Sequence, residues 1–436
     1  MKKLVLSAAT LACATFFAQA AVAGPKIWVS MGDDAYQLLR AAHPQAKSTE
    51  SHDVQVNVPR AGMLAKAVGS PESLTTRTDR IHVLQVDEDQ LHRLSTEVHE
   101  KLHRCGGYIV HASRAEARQS LQELRGHLTR AKEATALAPS YAIDNQSTVT
   151  PLLTQVQESQ VLSTIQKLSD YQNRFYKTSH GTAASNDLFN TWKQMAAGRT
   201  DITVSQFAHK KWPQKSVILS IKGTHAPDEI VVIGGHLDST VGFLTGENSR
   251  APGADDDASG IASLQEVMRV LLASNYKPKR TLQFMGYAAE EVGLLGSDAI
   301  AAKYKKQGKK VVGVMQLDMT NYQGQPTSDI TLITDYTNAA QNNFVKALAT
   351  AYLPELTVTQ DACGYACSDH ASWTKRGYAA SFPFESSLAA DNKLIHTPND
   401  TLAKSNNSAA HAVKFAKLGL TFAVELASDA PVKAGQ

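Results

Sequence analysis

The apolar run Ile230-Val231-Val232-Ile233 stops at Gly234-Gly235, and His236-Leu237-Asp238 follow at once. A short apolar run bounded by glycines reads as a buried strand. After a polar loop come three successive aspartates, Asp255-Asp256-Asp257, directly ahead of Ala258-Ser259-Gly260. Carboxylates gathered beside a buried strand repel one another and lose hydration, and a bound cation offsets both costs. The chain must therefore fold so that a strand end and a helix entry meet around positive charge.

The same juxtaposition recurs. Glu290-Glu291 follow the apolar strand Thr281 to Ala288, Asp318 follows Val311 to Leu317, and His396 lies in Leu394-Ile395-His396-Thr397. Each residue taken singly is as easily a surface carboxylate or a core histidine. As a set they imply convergence, because sites in open α/β sheets form at the carboxyl ends of strands. Two imidazoles with several carboxylates suit zinc, with cobalt or manganese as alternatives. Five ligand candidates exceed what one four-coordinate ion with an open position takes. They suit two ions sharing a bridging carboxylate and a bridging water.

Around these positions, strands and helices alternate. Ser216 to Ile221 reads as a strand, Ile261 to Ser274 as a helix and Gly293 to Gln307 as another. Ile330 to Thr334 and Tyr378 to Phe382 read as strands, and Asn338 to Tyr352 and His411 to Ser428 as helices. Upstream, Val161 to Tyr176 and Asn186 to Met195 read as helices. This alternation predicts an α/β fold, a three-layer sandwich around a mixed, mostly parallel sheet.

The first 140 residues are different. Lys2-Lys3, the apolar stretch Leu4 to Phe17, and the A-x-A sites Ala18-Gln19-Ala20 and Ala21-Val22-Ala23 make a signal peptide over 1–23. Residues 24–140 read as a small α+β segment, with an early polar helix, Asp33 to His43, and a strand, Ile81 to Val86. An amphipathic helix follows, Glu88 to His103, with apolar stripe Leu91, Leu94, Val98 and Leu102 and a stop at Gly106-Gly107. Tyr108-Ile109-Val110 and a charged helix from Arg114 to Ala136 complete it. Ala138-Pro139-Ser140 is a plausible linker and processing point, and residues 141–436 are expected to form the larger domain that carries the candidate ligands. A compact module ahead of an exported hydrolase suggests a propeptide, inhibitory or chaperone-like, that stays a partner until processing.

Within this segment, His99-Glu100-Lys101-Leu102-His103 matches the H-E-x-x-H zinc signature. The extended form fails, because Ile109 stands where a third His is needed, and the favoured expectation is a solvated helix face opposite the apolar stripe. Formal net charge is +3 in 436 residues, which points to neither nucleic acid nor an anionic membrane as partner. Cys13 leaves with the signal peptide, and Cys105 has no evident mate. Cys363 and Cys367, four apart, fit a disulfide in an oxidising compartment, or less well a metal pair.

GGHLDST, APGADDDASG, YAAEEVGLLGS, LDMTNY, CGYACSDH and IHTPNDTL, from Gly234 to Leu402, resemble the zinc-dependent exopeptidases of the bacterial leucyl aminopeptidase family. The resemblance spans Val149 to Ala427, and the module before it resembles the pro-segments of such secreted precursors. It implies two zinc ions per catalytic domain, with Asp256 bridging them. His236 and Asp318 would complete one site, and Glu291 and His396 the other. Glu290 would be the general base, Asp238 would orient His236, and a cis peptide would follow Asp256. Met319, Ile333, Cys363, Tyr365, Cys367, Phe382, Phe384 and Ile395 would form an apolar pocket for a leucine-like side chain. The Tyr365 hydroxyl could donate to the oxyanion. Leu388 and Asp391 stand where the family prototype carries aromatic residues, so a wider or more polar rim is an open alternative.

The expected protein is thus a secreted monomeric aminopeptidase acting on peptide N-termini. A glutaminyl cyclase or carboxypeptidase on the same scaffold, a binding module that has lost catalysis, and a protease built on His99 and His103 are the competing readings.

Overall fold

The computed structural model describes residues 26–59, 74–102, 106–130, 141–242 and 244–428. The signal peptide, Cys105, His103 and the linker 138–140 lie outside them. Among the described residues, no helix is long and apolar enough to cross a membrane.

The N-terminal module runs β1 (Lys26–Gly32), α1 (Asp33–Ala42), β2 (Glu50–Pro59), β3 (Leu74–Asp87), α2 (Glu88–Leu102), β4 (Tyr108–His111) and α3 (Arg114–Arg130). Its strands form one antiparallel sheet in the order β2-β3-β1-β4. The stripe on α2 does what its spacing predicts: Leu91, Leu94 and Val98 pack with Val29, Met31, Leu84, Val86 and Tyr108. Full burial of such side chains is worth about 1.5–3 kcal/mol each.

The larger domain continues with α4 (Gln146–Leu153), α5 (Glu158–Ser169), α6 (Ser179–Met195), β5 (Ile202–Phe207), β6 (Ser216–Ile221), β7 (Ala226–His236), α7 (Ala258–Ala273) and β8 (Arg280–Tyr287). Then come α8 (Leu295–Lys306), β9 (Lys310–Gln316), β10 (Ile330–Ile333), α9 (Ala339–Tyr352), β11 (Val358–Asp361), α10 (His370–Lys375), β12 (Ala380–Phe384) and α11 (Ala410–Ser428). Eight strands form one sheet in the order β11-β10-β12-β9-β7-β8-β6-β5. The central strands β12, β9, β7 and β8 are parallel, and antiparallel pairs lie toward the edges.

The period-two geometry of β7 explains the layers. Val231 and Ile233 join the core formed with α7 and α11, whereas Ile230 and Val232 join the opposite core with Ile300 of α8 and Trp373 of α10. A strand apolar on both faces needs helices on both faces, and this is the expected three-layer sandwich.

Two expectations shift. The helix expected over Val161 to Tyr176 ends at Ser169, because the next residues are spent on side-chain hydrogen bonds to distant loops. The edge strands β5 and β11 carry a mixed, partly exposed pattern that the apolar-run criterion passes over.

Candidate metal centre

Strand β7 delivers His236 at its last position, and Asp238 follows in the loop. The parallel neighbours β8 and β9 deliver Glu290-Glu291 and Asp318 just past their own ends. Asp256 stands two residues before α7, whose N-cap is Asp257 accepting from the Gly260 N–H. His396 arrives on the loop between β12 and α11.

These side chains converge in two groups of possible metal ligands, His236 with Asp256 and Asp318, and Asp256 with Glu291 and His396. Asp256 belongs to both. Its Oδ1 is 2.9 Å from His236 Nε2 and its Oδ2 is 3.1 Å from His396 Nε2. His236 Nε2 lies 3.5 Å from Asp318 Oδ1, and His396 Nε2 lies 2.8 Å from Glu291 Oε2. Asp318 Oδ1 and Glu291 Oε1 are buried without a hydrogen-bond partner among the described residues. Buried carboxylate oxygens left over beside two imidazoles are a donor set that divalent cations complete.

The supports are as specific as the ligands. His236 Nδ1 faces the Asp238 carbonyl at 3.1 Å, which fixes the tautomer that leaves Nε2 free to ligate. The Asp238 carboxylate accepts the N–H of Glu290 at 2.9 Å and of Glu291 at 3.2 Å. It therefore positions both glutamates as well as flanking the imidazole. Ser368 donates to Asp318 Oδ2 at 2.5 Å.

Sequence reasoning missed three supporting residues. Asp257 accepts from His236 N at 2.9 Å, Gly260 N at 2.8 Å and Met319 N at 3.2 Å, tying three ligand-bearing segments together. Asp400 accepts from the backbone N–H groups of Asp255 and Asp256, both at 3.1 Å. Arg174, fully buried, donates to the carbonyls of Leu168, Leu237, Pro252 and Gly253 at 3.0, 2.8, 2.5 and 2.9 Å. It thereby pins the loop after β7 to the loop before Asp256. The place of Asp257 inside the aspartate triplet was its only sequence signal.

Backbone and charge are both forced here. The Asp256–Asp257 peptide is cis, and Ala289, Met319 and His396 hold left-handed φ values of 58°, 52° and 53°. The left-handed conformations of Ala289, Met319 and His396 cost of order 1–3 kcal/mol each and cluster at functional sites. Burial pushes the Glu290 carboxyl well above the usual range; His236 opposes this, while Asp369, Glu291 and Asp318 add to it. Burial likewise raises Glu291, to about 7.

Beside the centre, Met319, Ile333, Cys363, Cys367, Phe382, Phe384 and Ile395 form one apolar cluster, with Leu388 against it. Cys363 and Cys367 are joined in a disulfide, so the metal-pair alternative falls. Asp391 is buried and pairs with Lys393. Tyr365, between the two cysteines, packs in a second cluster with Tyr336 and residues of the N-terminal module, and its hydroxyl meets that of Ser30 at 2.6 Å.

The H-E-x-x-H segment also departs from expectation. Glu100 is exposed, and His99 is half-buried. Its ring lies 4.8 Å from that of His396, centroid to centroid. With the apolar stripe committed to the module's own core, the opposite face of α2 is left to meet the larger domain.

Comparison with known proteins agrees with this architecture. Residues 216–421 match the model of peptidase family M28. A probable aminopeptidase of Saccharomyces cerevisiae is 34% identical over 308 residues, covering 68% of this chain and 81% of that protein. Leucine aminopeptidase 1 of Grosmannia clavigera is 38% identical over 308 residues, covering 67% and 73%. The crystal structure of LapB from Legionella pneumophila superposes with a TM-score of 0.72 at 29% identity, covering 92% of this chain and all of that one. With its ligand-bearing strand ends inside the matched region and its relatives aminopeptidases over most of their length, this chain belongs to peptidase family M28.

Proposed function

We propose that the protein is a two-zinc aminopeptidase that removes leucine or another apolar residue from the N-terminus of peptides. The single observation that carries this reading is Asp256, which offers one carboxylate oxygen to each of two ligand groups. That is the arrangement a bridging carboxylate requires.

His236 and Asp318 would hold one ion, Glu291 and His396 the other, and Asp256 both. Ions bound there supply a water acidified to near neutrality and polarise the scissile carbonyl. Glu290 makes no ligand contact of its own. Its buried, upward-shifted carboxyl is suited to accept the proton of the attacking water and to return it to the departing amine. The apolar cluster from Met319 to Ile395 would receive the first side chain by burial, worth about 1.5–3 kcal/mol for a full aliphatic group. Relatives named leucine aminopeptidase support this preference.

The chain would be exported through the signal peptide at 1–23 and would act as a monomer once residues 24–140 are removed. Release of free amino acid from amino-acid anilides, set beside N-blocked and C-terminal substrates, tests the reading. Cleavage of unblocked N-terminal leucine substrates alone is expected. Cyclisation of N-terminal glutamine, or carboxypeptidase action, would replace it.

A further inference from the structure

The loop from Phe384, at the end of β12, to Ile395 is one wall of the apolar pocket: both residues belong to the pocket cluster, and Leu388 between them packs against it. Three contacts hold this wall in place. The buried Glu385 carboxylate accepts the N–H of Tyr322 at 2.8 Å and of Asn392 at 3.1 Å. Asp361 Oδ2 accepts the Leu388 N–H at 3.0 Å. Gly324 lies so close to Ala390 that a Cβ on it would come within 1.6 Å of the Ala390 carbonyl.

This wall carries charge. Asp391 is 6% exposed and pairs with Lys393. Lys393 Nζ also donates to the Leu388 carbonyl at 2.6 Å, so the ion pair is anchored on a residue of the pocket cluster. Burial raises the Asp391 carboxyl to about 6; Lys393 opposes this, while Asp255 and Asp361 add to it. A buried ion pair is weak evidence for stability, because packed apolar residues of the same volume do as well or better. Its place beside the pocket points instead to what the pocket binds.

Lysine and arginine side chains suit both parts of such a wall. Their stems are apolar and can lie along Phe384, Leu388 and Ile395, while their charged heads need an anion when withdrawn from water. Lys393 already presents a head of this kind to Asp391. Its side chain is 35% exposed, so the ammonium can turn out to water and leave Asp391 to another cation.

We propose that Asp391 is a specificity-determining residue that lets the pocket take lysine or arginine, as well as apolar residues, from peptide N-termini. Lys393 is the internal cation that the head of the substrate's side chain displaces. The proposal rests on the aminopeptidase reading of the site and widens its substrate class.

The test measures kcat/KM on leucine, lysine and arginine anilides for the zinc-loaded wild type, Asp391→Asn and Lys393→Met, before and after proteolytic cleavage between residues 130 and 141. Wild type is expected to hydrolyse all three. Asp391→Asn keeps the shape and removes the charge, and the lysine-to-leucine ratio should fall roughly tenfold, since hydrogen bonds to charged groups are the strong ones. Lys393→Met removes the competing cation and should raise the same ratio roughly threefold. Opposite signs separate binding from structure, because damage to the wall would lower every substrate together. A ratio unmoved in Asp391→Asn, or moved the same way in both variants, would overturn the proposal. If no anilide is hydrolysed, the aminopeptidase reading fails instead. Calorimetric titration with lysinamide and leucinamide then decides the pocket alone. Lysinamide should lose roughly tenfold in affinity relative to leucinamide in Asp391→Asn, and an unchanged relative affinity, or binding of neither amide, would overturn the proposal.

Discussion

Asp238 holds Glu290 by the backbone: its Oδ1 accepts the Glu290 N–H at 2.9 Å, and its Oδ2 accepts the next N–H, of Glu291, at 3.2 Å. One buried carboxylate thereby sets Glu290, the proposed general base, and Glu291, a proposed metal ligand, in register with His236, whose Nδ1 it flanks at 3.6 Å. Asp238→Ala removes both acceptors and is expected to cost about 10–100-fold in metal affinity or activity. Asp238→Asn keeps one acceptor oxygen and should fall between. Metal competition titrations and kcat/KM on a leucine anilide measure the two losses.

Glu290→Gln separates proton transfer from metal binding. The amide keeps the shape but cannot take a proton. Because Glu290 belongs to neither of the two candidate ligand groups among the described residues, kcat should fall about 10²–10⁴-fold with metal content unchanged. Elemental analysis beside steady-state kinetics checks both halves.

Arg174→Met would take the Arg174 donor from the buried carbonyls of Leu168, Leu237 and Pro252, whereas that of Gly253 keeps the Ala258 N–H at 3.0 Å. Each unsatisfied group costs about 1–3 kcal/mol, so a loss of at least about 3 kcal/mol of stability is expected, read as a lower denaturant midpoint. The two loops that Arg174 joins carry Asp238 and Asp256, so metal affinity should fall as well. Arg174→Lys, a single donor head in place of a fork, should recover only part of each.

Acid should loosen the N-terminal module. His111 is 3% exposed, and burial, with Lys375 and Arg376 beside it, holds its pKa well below the ordinary value. Glu116 pairs with those two cations, and Asp298 does so from α8. A depressed histidine pKa means that docking is fully supported above the free-imidazole value of about 6.5 and weakens as pH falls toward the docked value. Hydrogen-exchange protection at residues 108–111, taken relative to the intrinsic rate at each pH, should fall from pH 7 to pH 5 in the wild type and change less in His111→Asn.

The chain announced its centre because ligand chemistry is local. His236, Asp256, Glu290, Glu291 and Asp318 each sit at the end of an apolar run or the start of a helix, where pattern and composition speak together. The layers were legible for the same reason, since β7 is apolar on both faces. What stayed hidden depends on long-range hydrogen bonding. Arg174 looks like one more residue of a helical stretch until three carbonyls from distant loops and that of Leu168 meet it, where α5 ends at Ser169. His99 has helical neighbours that predict a solvated face, and nothing nearby in the sequence says that His396, almost three hundred residues on, covers it. Tyr365, whose hydroxyl the resemblance offers to the oxyanion, has that hydroxyl 2.6 Å from Ser30 Oγ, a partner more than three hundred residues away that no local pattern signals.

The most direct test of the central claim is metal stoichiometry. Metal-free protein is titrated with zinc while binding heat and leucine anilide hydrolysis are followed together. Two equivalents per chain are predicted, with full activity only at the second, and Asp256→Ala should weaken both sites. Saturation at one equivalent, or two undiminished sites in Asp256→Ala, would contradict a centre bridged by Asp256.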